Sequence, residues 1–179
     1  MTSQARRSLA VVSVIVSVLA AGCGSSSSTA SSAQSSASTA QSSASTSVSA
    51  STSTTVLATA LTAAYRSETA AQATYRNVVD RLGRIRPFVN VLDAEQQHVA
   101  TVRSLMVAHG VPVPAAAPGT ASPGTIALAC DLGVRTEQNV ISLYDRYLPQ
   151  ISAYPDLVRV FDSLRSVSAG SHLPAFQRC

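Results

Sequence analysis

From Val56 to Cys179 apolar side chains recur at intervals of three and four, the period of an α-helix with one buried face, and glycine and proline separate the periodic stretches. The pattern predicts four helices. The first covers about Val56 to Leu82, with Leu61, Glu68, Tyr75 and Leu82 seven apart on one face. The second starts near Pro87, where a missing N–H is harmless, and ends at His109-Gly110, where glycine can take the left-handed C-terminal position. The third covers about Thr125 to Leu148 and the fourth about Asp156 to Gln177, with Pro149 and Pro155 bounding the turn between them.

Connection lengths turn four helices into an architecture. Short turns make helices 1 and 2 one antiparallel hairpin and helices 3 and 4 another. Between the hairpins lies VPVPAAAPGTASPG, fourteen residues too rich in proline and glycine to be helical. Such a segment can extend to roughly 45 Å, more than the roughly 36 Å of a helix of about 24 residues. It can therefore cross the length of the bundle, and the expected fold is all-α: two antiparallel hairpins joined by a crossover loop, the ferritin-like four-helix arrangement.

The inward stripes carry charge where a plain core would not. Helix 1 presents Leu57, Leu61, Glu68 and Tyr75; helix 2 presents Phe88, Leu92, Glu95, His98, Val102 and Leu105. Helix 3 presents Ile126, Val134, Glu137, Ile141 and Tyr144, and helix 4 Leu157, Phe161, Leu164, Ser168, His172 and Ala175. The only three glutamates of the chain thus fall one each on the buried faces of helices 1, 2 and 3. Cys130 and Cys179 lie near the start of helix 3 and the end of helix 4, so an antiparallel pair would bring them together as a disulfide. Glu137 is seven residues after Cys130 and His172 seven before Cys179, which puts these two at one level. In the first hairpin, Glu68 faces Glu95 and His98 across the turn near Leu82 to Arg84.

Burying three carboxylates requires a counter-charge. Arg66, Arg76, Arg103, Arg135 and Arg165 lie off the stripe or at its margin, so the inward basic groups are His98 and His172. A divalent cation is the remaining candidate, and carboxylate oxygens with imidazole nitrogens suit iron, manganese or zinc. His109, at the end of helix 2, suits the helix dipole better than a metal. Tyr75 and Tyr144, each two turns after a glutamate of its own helix, suit core packing with the hydroxyl bonded to a carboxylate. No Gly-x-Ser-x-Gly elbow occurs, so hydrolase chemistry has no support.

This set of Glu68, Glu95-x-x-His98, Glu137 and a late His172 resembles the ligand pattern of ferritin-like di-metal carboxylate proteins. The wording around it, R-P-F before E-Q-Q-H, the G-V-P-V-P crossover and the terminal S-H-L-P-A-F-Q-R-C, resembles the ferritin-like domain-of-unknown-function family 2202 over about Val56 to Cys179. The resemblance implies a site for iron or manganese, with Tyr75 and Tyr144 beside it, and a class of activity in the oxidation of Fe(II) or the handling of oxygen or peroxide. It also implies a second E-x-x-H with glutamate at position 169, where this chain has Ala169. The remaining three carboxylates and two imidazoles suit one ion better than two. The competing reading is a degenerate, metal-free bundle acting as a cell-envelope binding or structural lipoprotein, its carboxylates held by tyrosine and histidine hydrogen bonds alone.

The first third of the chain changes the setting rather than the chemistry. Arg6-Arg7 followed by an apolar run from Leu9 to Ala21 reads as an export signal over residues 1–22, too short for a bilayer span of about 20 residues. Ala20-Ala21-Gly22-Cys23 resembles a lipobox, which implies lipidation of Cys23 and an extracytoplasmic protein anchored to the cell membrane. Residues 23–55 are nearly all Ser, Ala, Thr and Gln, a composition expected to stay disordered as a tether for the folded domain, residues 56–179. The formal charge is +4, and losing Arg6 and Arg7 with the signal lowers it by two, which excludes a nucleic-acid partner on electrostatic grounds.

Overall fold

The computed structural model describes the backbone from Ser38 and the side chains from Thr54, through Cys179. The expected signal peptide, the lipidation site Cys23 and the start of the tether lie outside the described residues. Four helices are present and, among the described residues, no strand. Helix α1 spans Ser38–Leu82, α2 Phe88–Ala108 and α3 Ile126–Tyr147. The fourth is built of α4, Pro155–Val167, a π-helical turn, Ser168–His172, and α5, Leu173–Gln177; Ser168, His172 and Leu173 all keep right-handed helical dihedrals, so the three pieces run on without a break. Among the described residues no helix is long and apolar enough to cross a membrane.

One helix boundary and two buried faces differ from expectation. Helix α1 begins at Ser38 rather than near Val56, so residues 38–55 of the expected tether are helical. They contain neither glycine nor proline, and once a packed helix exists, adding residues to its end avoids the cost of nucleation. Among the described side chains, which start at Thr54, the first buried one is Leu57. On α3 the buried face is Ala129, Cys130, Gly133, Glu137, Val140 and Tyr144, and Ile126 stands half exposed, because the small side chains let the neighbouring helices approach that side. On α2 the buried face runs through Val91 and Met106, with Leu92 and Leu105 at its flanks.

The two hairpins are tied at their ends and along their lengths. Helix α1 packs on both α2 and α3, and α3 packs on the π turn and α5. Cys130 and Cys179 are disulfide-bonded, with Cα atoms 5.8 Å apart and a sequence separation of 49; closing a loop of that length contributes about 4 kcal/mol through the unfolded chain. Gly110 follows α2 with φ 65°, as its position predicts. His109, at the C-cap of α2, pairs its Nε2 with Asp156 Oδ2 at 2.7 Å in the first turn of α4.

Residues 111–124 cross the bundle as a strap laid on α1. Thr69 and Thr74 each donate a hydroxyl hydrogen bond to a carbonyl four residues back and accept one from the strap, from Ala117 N–H at 3.0 Å and Thr120 N–H at 2.9 Å. Asn77 Nδ2 donates to Thr120 O at 2.9 Å. Between those anchors the strap comes so close that a Cβ on Gly119 would stand 2.2 Å from the backbone nitrogen of Thr74. Gly119→Ala should therefore destabilise the protein by about 1 to 3 kcal/mol, since neither backbone can yield cheaply. Urea unfolding of the two proteins checks this; equal midpoints would mean that the strap does not lie against α1 as described.

Candidate metal centre

Each charged group of the predicted set stands on its own helix face at one level of the bundle. Glu68 comes from α1, Glu95 and His98 from α2 one turn apart, Glu137 from α3 and His172 from the π turn. The three glutamates have no solvent exposure at all, and both histidines are buried. Aromatic rings flank this buried layer on both sides. Tyr75, Phe88 and Phe176 pack with centroids 5.0 to 6.0 Å apart on one side, and Tyr144 meets Phe161 at 5.0 Å on the other.

Glu95 is the hub. Its Oε1 lies 3.1 Å from His172 Nδ1 and its Oε2 3.4 Å from His98 Nδ1. Glu68 Oε2 lies 3.4 Å from His98 Nδ1, and Glu137 Oε2 3.5 Å from His172 Nδ1. The two imidazoles stack with centroids 5.4 Å apart. The outer oxygens of the flanking glutamates are held by tyrosines that cross between hairpins: Tyr75 donates to Glu137 Oε1 at 2.5 Å, and Tyr144 donates to Glu68 Oε1. The site is thus two similar triads, Glu68-Glu95-His98 and Glu137-Glu95-His172, that share one carboxylate.

Six inward-facing atoms of these triads, Glu68 Oε2, both oxygens of Glu95, Glu137 Oε2 and the Nδ1 atoms of His98 and His172, have no hydrogen-bond partner. A buried polar atom left so costs about 1 to 3 kcal/mol. Their spacing has a simple explanation. An ion about 2.0 to 2.2 Å from each oxygen or nitrogen donor holds neighbouring donors roughly 3 to 3.5 Å apart, the separations found. Glu95, His98 and His172 in particular offer donor atoms within 4.8 Å of one another. No arginine intervenes: among the described residues the guanidinium ion pair is Arg165 with Asp145, at 2.9 Å on the surface.

Electrostatics show how strongly this layer needs positive charge. Burial drives Glu68 up to about 8, against the pull of His98. Burial would raise Glu95 too, but His172 and His98 outweigh it and bring that carboxyl down to about 2. Both imidazoles are disfavoured as cations by burial, yet Glu68 and Glu95 lift His98 to about 10, and Glu137 and Glu95 lift His172 to about 9. Burial, then the charge of the bonded carboxylate, pushes Tyr75 and Tyr144 well above the usual phenol value, so both keep the proton they donate.

On the fourth helix the apolar stripe, which includes Ser168, and the resemblance, which points to position 169, disagree. The resemblance places a glutamate at 169, but Ala169 is only partly buried, and the polar side chain turned into the core is Ser168. Pro174 is the cause: it has no N–H for the carbonyl of Gly170, and its ring crowds that carbonyl, so the helix opens into a π turn in which Leu173 N–H bonds to Ser168 O. The extra residue also brings Phe176, rather than Ala175, into the core. Gly170 and Pro174, four apart inside an apolar periodicity, were the available signal.

Without metal, the protons on His98 and His172 supply the counter-charge, so their stabilisation is complete below the ordinary histidine value of 6.5 and is lost as pH rises through about 9 and about 10. Glu68 acts in the same direction between 4.5 and about 8, while Glu95 withdraws its contribution only as pH falls from 4.5 towards about 2. Chelator-treated protein should therefore melt at steadily lower temperature as pH rises from about 5 to about 9; a melting temperature that climbs over this range would contradict the pairing described.

No protein-family model, curated protein or solved structure matches the chain.

Proposed function

We propose that the protein is a ferritin-like metal-binding bundle that holds two divalent ions, iron or manganese, one in each triad, with Glu95 shared between them. The observation that carries this is the set of six buried donor atoms without hydrogen bonds, spaced as neighbours around an ion. Oxygen donors with two imidazole nitrogens favour iron, manganese or zinc over calcium or copper(I). Counting side chains alone suggested one ion; the mirrored triads favour two. Each triad offers three donors and leaves positions open, the arrangement of a reactive rather than a purely structural site. Iron or manganese held so supplies one-electron chemistry towards oxygen or peroxide, the class of activity to assay. The chain's own residues exclude water with their aromatic layers and fix Glu68 and Glu137 through the crossed tyrosines. A metal-free structural bundle would require the histidines to hydrogen-bond the inner carboxylate oxygens, which have no hydrogen-bond partner; the tyrosines reach only the outer oxygens of Glu68 and Glu137.

We further infer that the bundle is exported and anchored to the cell membrane through a lipid on Cys23. Support comes from the signal-like residues 1–22 and the lipobox-like segment 20–23. The Cys130–Cys179 bond is of a kind that persists in an oxidising compartment.

Elemental analysis of the whole chain, loaded with Fe(II) or Mn(II) and desalted, should find close to two ions per chain. Glu95→Gln, which removes the shared donor, should retain almost none, while His109→Ala keeps the full amount. Removing the metal should also lower the melting temperature, since an ion present at a thousand times its Kd stabilises the folded state by about 4 kcal/mol. Wild-type protein free of metal, or a Glu95→Gln variant with full metal content, would refute the reading.

A further inference from the structure

Helix 2 and the fourth helix present their histidines differently, and the difference exposes a second polar position. On α2 the carboxylate that shares a face with His98 is Glu95, three residues before it. A π turn carries about one residue more per turn than an α-helix, so on the fourth helix the residue sharing a buried face with His172 is Ser168, four before it. Burial agrees: Ser168 has no solvent exposure, whereas Ala169 is partly exposed. The Ser168 hydroxyl is buried and has no hydrogen-bond partner, although a hydroxyl can both donate and accept. It stands in the same π turn as His172, the donor that this turn brings to the centre.

Charge and size say what this hydroxyl is for, on the reading that the centre holds two divalent ions. Three carboxylates against four positive charges leave one positive charge in a buried layer, which a small monoanion would balance. Serine has three side-chain heavy atoms fewer than glutamate, which is the size of formate or azide. We propose that Ser168 anchors a small exogenous monoanion at the metal centre, in the position that a fourth glutamate would otherwise fill, by donating a hydrogen bond to it. A fourth carboxylate at this position would itself take the place of the anion.

Azide titration of the whole chain loaded with Co(II), followed by the visible spectrum, tests this without recourse to turnover. Wild-type protein should bind azide saturably. Ser168→Ala should keep its Co(II) content and weaken azide binding by about tenfold, the loss of one charge-assisted hydrogen bond. Ser168→Glu should retain Co(II) at least as firmly as wild type and no longer respond to azide, because the carboxylate is now built in. Ala169→Glu should leave azide binding unchanged. Wild-type azide affinity in Ser168→Ala, or an Ala169→Glu variant that blocks azide as Ser168→Glu should, would overturn the proposal while leaving metal binding intact. Failure of the wild-type protein to take up Co(II) at all would sink the two-ion reading itself, and the anion site with it.

Discussion

Three carboxylates with no access to water, gathered within hydrogen-bonding reach of two imidazoles, are the constraint around which this bundle is arranged. Negative charge at that density in a low-dielectric layer is strongly unfavourable unless cations or protons accompany it. The protein supplies part of the answer itself. Two tyrosines neutralise one oxygen each by hydrogen bonding, and the imidazoles bind protons far more tightly than in water. What they leave is a ring of donor atoms facing one another with nothing between them of the protein's own. A core that needed only stability would fill this layer with leucine, so the retained polarity points to a ligand.

The rest of the architecture holds that ring in register. Each tyrosine originates two turns from the glutamate of its own helix and reaches across to the glutamate of the other hairpin, so neither hairpin can form the site alone. The disulfide fixes α3 against the end of the fourth helix seven residues from both Glu137 and His172. The strap ties α1 through Thr69, Thr74 and Asn77, on the same stretch of helix that carries Glu68 and Tyr75. At the opposite end His109 and Asp156 join α2 to α4. Donor positions spread over four helices are thus set by bonds that flank the polar layer, leaving the donors themselves free to face inward.

Much of this was legible before any coordinates. Helical periodicity located the four helices, and loop lengths the hairpins and crossover, because both follow from geometry that sequence spacing records directly. The meeting of Glu68, Glu95, His98, Glu137 and His172 followed from antiparallel register once Cys130 and Cys179 were paired. Three features were not legible for physical reasons. The length of α1 depends on propagation from a packed helix, which apolar periodicity does not record, so the helical state of residues 38–55 was not expected. The rotation of α3 that exposes Ile126 depends on small residues admitting a neighbour, which hydrophobicity does not encode. The π turn at Ser168 depends on a conflict between Pro174 and the carbonyl four residues earlier, and it brings Phe176 rather than Ala175 into the core.

The most direct test of the central claim is anomalous X-ray diffraction from crystals of the metal-loaded protein, collected on both sides of the iron or manganese edge. Two anomalous peaks are predicted in the bundle core, one bounded by Glu68, Glu95 and His98 and the other by Glu137, Glu95 and His172, each about 2.0 to 2.2 Å from its oxygen and nitrogen donors. A core without anomalous density, with the glutamates hydrogen-bonded to protonated imidazoles in its place, would contradict the account.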